Sequence, residues 1–483
     1  MADELPAHST RRHLLDGGYA LGLLVVAVVF GHWFLAPATL PASTPPAEDS
    51  APRIASPAGE IAPAPAPTAA ITERTPRPWP LRVEGRVLGP ERQPVAGVSI
   101  AADGREVQPD AEGRFVLEDL PPDTVVVVKL PGYEKVAIEP TSRPIEVVLR
   151  PHVVKAAYLT YYGVSDRGIR GRVFDLLAHT ELNAVVIDVK GDRGWIPYRT
   201  DVRAARSVGA QGPVMIRDFE RMIRDLKARG VYTIARIVTF KDNVLARARP
   251  DVAVIDTRTG EPWVDNEQLA WVDPFREEVW TYNLEIAKEA ARKGFDEIQF
   301  DYVRFPTDGR LSATRYSRPV TRETRLRAIG GFLGRARREL GAMGVFVAAD
   351  IFGYTAFNDS DTDIGQRIED LAQHLDYICP MVYPSGYHLG IPGYRNPVLF
   401  PYQVVHESVR LIRRRTGSQP VRVRPWLQDF RDYAFDKRFF GVEEIRAQIR
   451  GADDAGGVGW MLWNPRNEYT AAALRAKGPV AAR

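Results

Sequence analysis

A (β/α)8 TIM barrel preceded by a small all-β sandwich and a single N-terminal transmembrane helix is the fold class that this chain of 483 residues predicts. Three observations carry that expectation. From Lys155 onward, eight short apolar runs alternate with seven segments of helical period, the rhythm of parallel strands and returning helices. Between Leu81 and Arg150 apolar residues recur at every second position, and turn signals break them at short intervals. Ahead of both, residues 14–36 form an almost unbroken apolar run.

The first element is this run. About 20 apolar residues suffice to cross a bilayer, and Arg11–Arg12–His13 in front of it favour a cytoplasmic residue 1–13 segment. The rival is a cleaved signal peptide, for which Ala36–Pro37–Ala38 is a poor site. Either way the remainder is expected outside the cytoplasm, on a single-pass cell-membrane protein. Residues 37–80 hold twelve of the chain's 38 prolines among Ala, Ser and Thr. Such a segment has too little apolar surface to fold, and is expected to act as a semi-extended disordered tether.

In residues 81–150, Val83, Gly85 and Val87 alternate with Arg82, Glu84 and Arg86. Turn signals fall at Gly89–Pro90, Asp103–Gly104, 110–113 and Pro121–Pro122, leaving strands near 98–101, 114–117, 125–130 and 145–149. The strings Gly85–Arg86–Val87, Pro94–Val95–Ala96–Gly97–Val98 and Asp110–Ala111–Glu112–Gly113–Arg114–Phe115 resemble the carboxypeptidase regulatory-like domain family. Members of that family are accessory modules, so the resemblance implies spacing or binding rather than catalysis.

In residues 155–475 the candidate strands are 156–160, 184–189, 232–238, 297–302, 345–350, 377–382, 421–426 and 457–462. Helix-period segments lie near 170–179, 214–229, 275–293, 321–341, 364–374, 402–415 and 442–454. A doubly wound open sheet is the alternative, but no Gly-rich phosphate loop follows the first strand.

Composition excludes several chemistries. The formal net charge is +3 and no long basic run occurs, so nucleic-acid binding is not expected. The one cysteine, Cys379, has no partner for a disulfide or a metal site and reads as a small core residue. None of the eight histidines falls at a strand tip, and no His pair has zinc spacing. No metal and no organic cofactor is expected.

In a barrel the residues at strand carboxyl ends converge on one pocket. The most informative string is Gly294–Phe295–Asp296–Glu297–Ile298–Gln299–Phe300–Asp301–Tyr302–Val303–Arg304–Phe305–Pro306. Alternation sets Ile298 and Phe300 against the helices and turns Glu297, Gln299 and Asp301 inward, with Asp301 at the pocket mouth. Asp188, beside Lys190, Asp192 and Arg193, ends the second strand, and Asp350 ends the fifth. Tyr383 closes the sixth, Gln428 and Asp429 follow the seventh, and Trp463 and Asn464 close the eighth. In the long segment after the third strand, residues 252–256 and 261–264 flank a Gly turn. That hairpin carries Trp263, with Trp271 just beyond it, either as sugar platforms or as packing on the barrel. An acid-lined cleft walled by aromatics suits a polysaccharide, whose rings stack while carboxylates cut the glycosidic bond. Asp301 and Asp350 are the catalytic candidates. Asp188, Arg304, Tyr383, Trp263, Gln428, Asp429, Trp463 and Asn464 are the substrate-binding ones.

Several strings resemble the putative glycosyl hydrolase family, a bacterial β/α-barrel family. They are Tyr158–Leu159–Thr160, Asn183–Ala184–Val185–Val186–Ile187–Asp188–Val189–Lys190, Trp271–Val272–Asp273–Pro274, the Glu297 to Pro306 string, Tyr377–Ile378–Cys379–Pro380–Met381–Val382–Tyr383–Pro384–Ser385 and Gly459–Trp460–Met461–Leu462–Trp463–Asn464. The resemblance implies a glycosidase-like barrel. The expected function is a membrane-anchored, extracytoplasmic glycoside hydrolase. The alternatives are a non-catalytic carbohydrate-binding barrel acting as an envelope scaffold, and a polysaccharide deacetylase or lyase.

Overall fold

The computed structural model describes residues 81–139, 144–417 and 419–478. The expected anchor at 14–36 and tether at 37–80 lie outside the described residues. Among the described residues no helix is long and apolar enough to cross a membrane.

Residues 81–148 fold as two small sheets. β1 (Leu81–Leu88), β2 (Ser99–Ala102), β3 (Arg105–Val107), β4 (Arg114–Leu120), β5 (Val126–Lys129), β6 (Val136–Ile138) and β7 (Ile145–Val148) form the sheets β4-β1-β7 and β3-β2-β5-β6. β3 and β6, each three residues long, are the two that alternation does not reveal. Inward residues such as Val83, Val87, Ile100, Phe115 and Val128 make one shared core.

The barrel strands follow: β8 (Val154–Leu159), β9 (Ala184–Lys190), β10 (Tyr232–Val238), β12 (Glu297–Asp301), β14 (Phe346–Phe352), β15 (Tyr377–Met381), β16 (Arg422–Val423), β17 (Trp426–Gln428) and β18 (Gly459–Trp463), while β11 (Ile255–Asp256) and β13 (Thr314–Arg315) pair antiparallel in a ribbon of their own. All barrel pairs are parallel, and β18 pairs with β8 to close the ring. The seventh barrel strand, expected as one run, is split into β16 and β17 because Pro425 between them has no N–H for the ladder. The helix expected at 364–374 shrinks to Ile368–Leu371. Upstream, the Asp361 carboxylate collects the N–H groups of Asp363 and Gly365 in a turn, with Thr362 and Asp363 at positive φ.

The barrel interior is layered along β12. At the bottom Glu297 pairs with Arg424 and accepts from the Tyr232 hydroxyl. In the middle Gln299 Nε2 donates to the sulfurs of Cys379 and Met461. Asp301 tops the column. Ile298 and Phe300 pack outward with the helices. Cys379 is fully buried among apolar neighbours, and its burial pushes the thiol's acidity down.

The sandwich seats on the lower end of the barrel. Lys129, 1% exposed, lies 5.2 Å over the Phe346 ring, 3.7 Å from Asp376 and 3.6 Å from Glu106. Glu106 is also held by Arg337, Lys135 pairs with Asp296 at 3.1 Å, and the Gly132 N–H donates to the Tyr377 hydroxyl. All of these barrel partners stand at or below the strands' amino ends, so the opposite, carboxyl-end face stays free for chemistry.

Candidate active site

The register Phe300↔Ala349 between β12 and β14 makes Asp301 and Asp350 the next neighbours on adjacent parallel strands. Asp301 is held by three hydrogen bonds from two residues. Its Oδ2 accepts from Arg236 Nε at 3.0 Å and Nη2 at 2.6 Å, and its Oδ1 accepts from the Tyr302 N–H at 2.6 Å. Tyr302 sits at φ +49°, a left-handed conformation that a bulky residue rarely adopts. Backbone strain of this kind gathers at functional sites, and here it lies at the peptide that grips Asp301.

Arg236, in the middle of β10, also reaches Asp188 on β9. Its Nη1 stands 2.7 Å from Asp188 Oδ1, and its Nη2 3.2 Å from Asp192 Oδ1. Asp188 Oδ2 accepts from the Tyr158 hydroxyl at 2.7 Å and the Tyr161 N–H at 2.9 Å. Burial pushes the Asp188 carboxyl up to about 6 even though Arg236 and Tyr158 favour its anion.

Asp350 is treated differently by its surroundings. Its Oδ1 accepts from Trp426 Nε1 at 2.7 Å, while Oδ2 is buried without a hydrogen-bond partner. Burial, and then the charge of Asp301, raise its carboxyl well above the usual range, which favours the protonated form. Tyr383 is near enough for both Asp350 and Asp301 to raise its phenol further, after burial.

Aromatic rings wall this cluster. Trp463 stacks on Tyr158 with centroids 4.1 Å apart, crosses Trp426 edge-on at 5.4 Å and lies 5.2 Å beneath the Arg236 guanidinium. Trp463 is half-buried, and its Nε1 has no hydrogen-bond partner. The structure therefore brings together Asp188, Asp301, Asp350, Tyr383 and Trp463.

Six other candidates hold loops instead. Arg304 lies over Trp271, Tyr302 and Phe352, and its Nη1 donates to the Phe305 carbonyl and the Thr307 hydroxyl. Trp263 is 1% exposed, and its Nε1 donates to the Arg310 carbonyl, so it packs the 252–264 turn and offers no platform. Trp271 is likewise buried, donating to Asp265. Gln428 is saturated by Ser385 and Phe430. Asp429 accepts from the Thr470 N–H and hydroxyl, and burial pushes it up to about 6. Asn464 spans the carbonyls of Asp429 and Glu468.

Two site residues escaped the sequence reading, Tyr158 and Arg236, and Trp426, at the tip of the seventh strand, was given no role. The signal for Arg236 was present, since an arginine at an inward position of the otherwise uncharged run Tyr232–Val238 needs an internal anion. Tyr158 and Trp426 read equally well as barrel core. Among the described residues no group of three or more His, Cys, Asp or Glu side chains is arranged to hold a metal.

A family profile described as putative glycosyl hydrolase domain matches residues 156–469. No curated protein matches the chain. Among solved structures, a hypothetical protein from Ruminiclostridium thermocellum ATCC 27405 is 36% identical, over 40% of this chain and 96% of its own, with a TM-score of 0.36. The glycoside hydrolase domain of PgaB (BpsB) from Bordetella bronchiseptica is 16% identical, over 68% of this chain and 100% of its own, with a TM-score of 0.48. A chitinase from Chromobacterium violaceum ATCC 12472 is 11% identical, over 67% and 97%, with a TM-score of 0.40.

Proposed function

Because this chain belongs to the putative glycosyl hydrolase domain family, we propose that its barrel cuts glycosidic bonds of a polysaccharide with Asp301 and Asp350. The observation that carries the assignment is the contrast between the two acids. Asp301 is paired with a guanidinium, whereas Asp350 is buried beside it with a raised pKa and a free Oδ2. Two carboxyl groups whose environments diverge are the usual signature of an acid and a nucleophile.

Asp301 and Asp350 stand next to each other on adjacent strands, and we take the retaining arrangement, with carboxyl groups ~5–5.5 Å apart, over the inverting one at ~6.5–9.5 Å. In the first step Asp301 attacks the anomeric carbon while Asp350 passes its proton to the departing glycosidic oxygen. That leaves a glycosyl ester on Asp301 and a carboxylate on Asp350. In the second step Asp350 takes a proton from water as the water oxygen displaces Asp301, which restores both groups. Arg236 orients Asp301, and the half-buried Trp463 offers an aromatic surface to the sugar.

The test is to assay the full chain, Asp301→Asn and Asp350→Asn against envelope and extracellular polysaccharides. New reducing ends from the wild type alone support the assignment. Proton NMR of the first product should show retained anomeric configuration; inversion would remove Asp301 from the nucleophile's role. Glycan binding without cleavage by any form would favour a carbohydrate-binding scaffold.

Two further parts of this reading concern setting. Residues 14–36 anchor the chain in the cell membrane with the barrel extracytoplasmic, supported by the apolar run and the preceding arginines. Residues 81–150 form a carboxypeptidase regulatory-like module, supported by the quoted strings and the two-sheet sandwich. Membrane fractionation and protease accessibility of intact cells check the first.

A further inference from the structure

Past Asp301 the chain climbs over the barrel rim before entering the helix Arg322–Gly341. Part of this loop, together with Arg325 and Asp363, walls a groove of about 660 Å³, inside the ~300–1,000 Å³ range of ligand sites. Phe305 and Tyr316, with ring centroids 5.5 Å apart, form an aromatic lining, and both pack on Phe275. The wall is fixed in place. β13 pairs with β11, the Ser317 N–H donates to Asp273 Oδ2 at 2.7 Å, and Thr321 caps the helix in a capping box.

The charge of this loop is one-sided. Between residues 310 and 327 arginine occurs at 310, 315, 318, 322, 325 and 327, against a single acid, Glu323. Arg325 is taken up by Asp361 and Asp363. Arg315 and Arg318 line the groove, are exposed, and make no ion pair among the described residues. A guanidinium fork matches a carboxylate in shape as well as charge, and an aromatic lining suits a sugar face.

We propose that this groove is a subsite for an acidic sugar, a uronate unit of the glycan chain, bound by Arg315 and Arg318 over the half-buried Tyr316, which the buried Phe305 backs from beneath. The link to the scissile bond rests on the hydrolase reading above; the binding does not. Phe305 follows Asp301 by four residues, so its Cα lies within ~14 Å of it at full extension.

Calorimetry on the full chain bearing Asp301→Asn, which blocks turnover, tests the subsite. The probes are the galacturonic acid hexamer, its carboxyl-reduced galactose counterpart and polyphosphate of similar length. The acidic hexamer should bind at least ~10-fold more tightly than the neutral one, a difference of ~1.4 kcal/mol. Arg315→Ala and Arg318→Ala should each shrink that margin, and the double variant should erase it, with the melting temperature unchanged. The inference is overturned by equal affinity for the acidic and neutral hexamers, by binding of neither these nor glucuronate and mannuronate oligomers, by polyphosphate binding as tightly as the uronate, or by arginine variants that change nothing. Failure of the hydrolase reading looks different: uronate binding persists while the wild type cuts no glycan.

Discussion

Arg236 joins Asp188 to Asp301 through one planar side chain, with Nη1 2.7 Å from the first carboxylate and Nη2 2.6 Å from the second. The guanidinium is 1% exposed and lies between β9 and β12, so its single charge is shared by two buried acids and it fixes the orientation of one of them.

Removing this cation should hurt stability and activity together. Arg236→Ala leaves Asp188 and Asp301 buried without their counter-charge, a change of the class that costs ~3–5 kcal/mol. Arg236→Lys keeps the charge but cannot span both acids with a fork, so it should recover more stability than activity. Thermal denaturation and the hydrolysis rate, measured side by side, check the split.

Asp350 should show a pH signature with a definite sign. Its folded pKa lies above the unfolded one, so the native state binds an extra proton between the two values, and stability falls as pH rises through that window. Asp350→Asn removes the titration: denaturant unfolding should show a flatter stability profile and no loss at neutral pH. Activity should fall by ~10²–10⁴-fold, and the wild type's alkaline limb, where Asp350 loses its proton, should disappear from any residual rate.

The two tryptophans should separate packing from recognition. Trp263→Ala opens a cavity beneath the 252–264 turn and should cost ~3–5 kcal/mol without weakening the affinity of the folded fraction. Trp463→Ala removes a half-buried stacking ring and should weaken oligosaccharide binding, with a smaller change in melting temperature. Melting curves and binding isotherms of the two variants decide it.

Deleting residues 81–150 should destabilise the barrel. The deletion uncovers Phe346 and Tyr377 at its lower end and strips Asp376 and Asp296 of Lys129 and Lys135. A lower melting temperature and a tendency to aggregate are expected in light scattering. An unchanged melting curve would show that the sandwich is only a spacer.

The places where sequence reading stopped short share a cause. The helix at 442–454 and the strand at 232–238 were legible to the residue because their periodicity is local. Asp301, Asp188 and Asp350 were legible because an acid at the end of an apolar strand stands out. Gln428, Asp429 and Asn464 also stand at strand ends but are consumed by contacts with residues distant in the chain: Ser385, Thr470 and the Asp429 carbonyl. Trp263 reads alike as platform or packing until the Arg310 carbonyl is seen to receive its N–H.

The sequence alone determined the alternation of strands and helices, the inward face of each strand, and the acids at the strand tips, because hydrophobic period and turn chemistry act between near neighbours. Only the tertiary structure decided which acids meet, that Arg236 is the cation between two of them, that Asp350 keeps an unpartnered oxygen beside Asp301, and that the sandwich closes the opposite end. Those outcomes depend on barrel closure and strand register, which bring site residues 48, 65 and 76 positions apart within hydrogen-bond reach and remove them from water. Desolvation and pairing then assign each carboxyl its role.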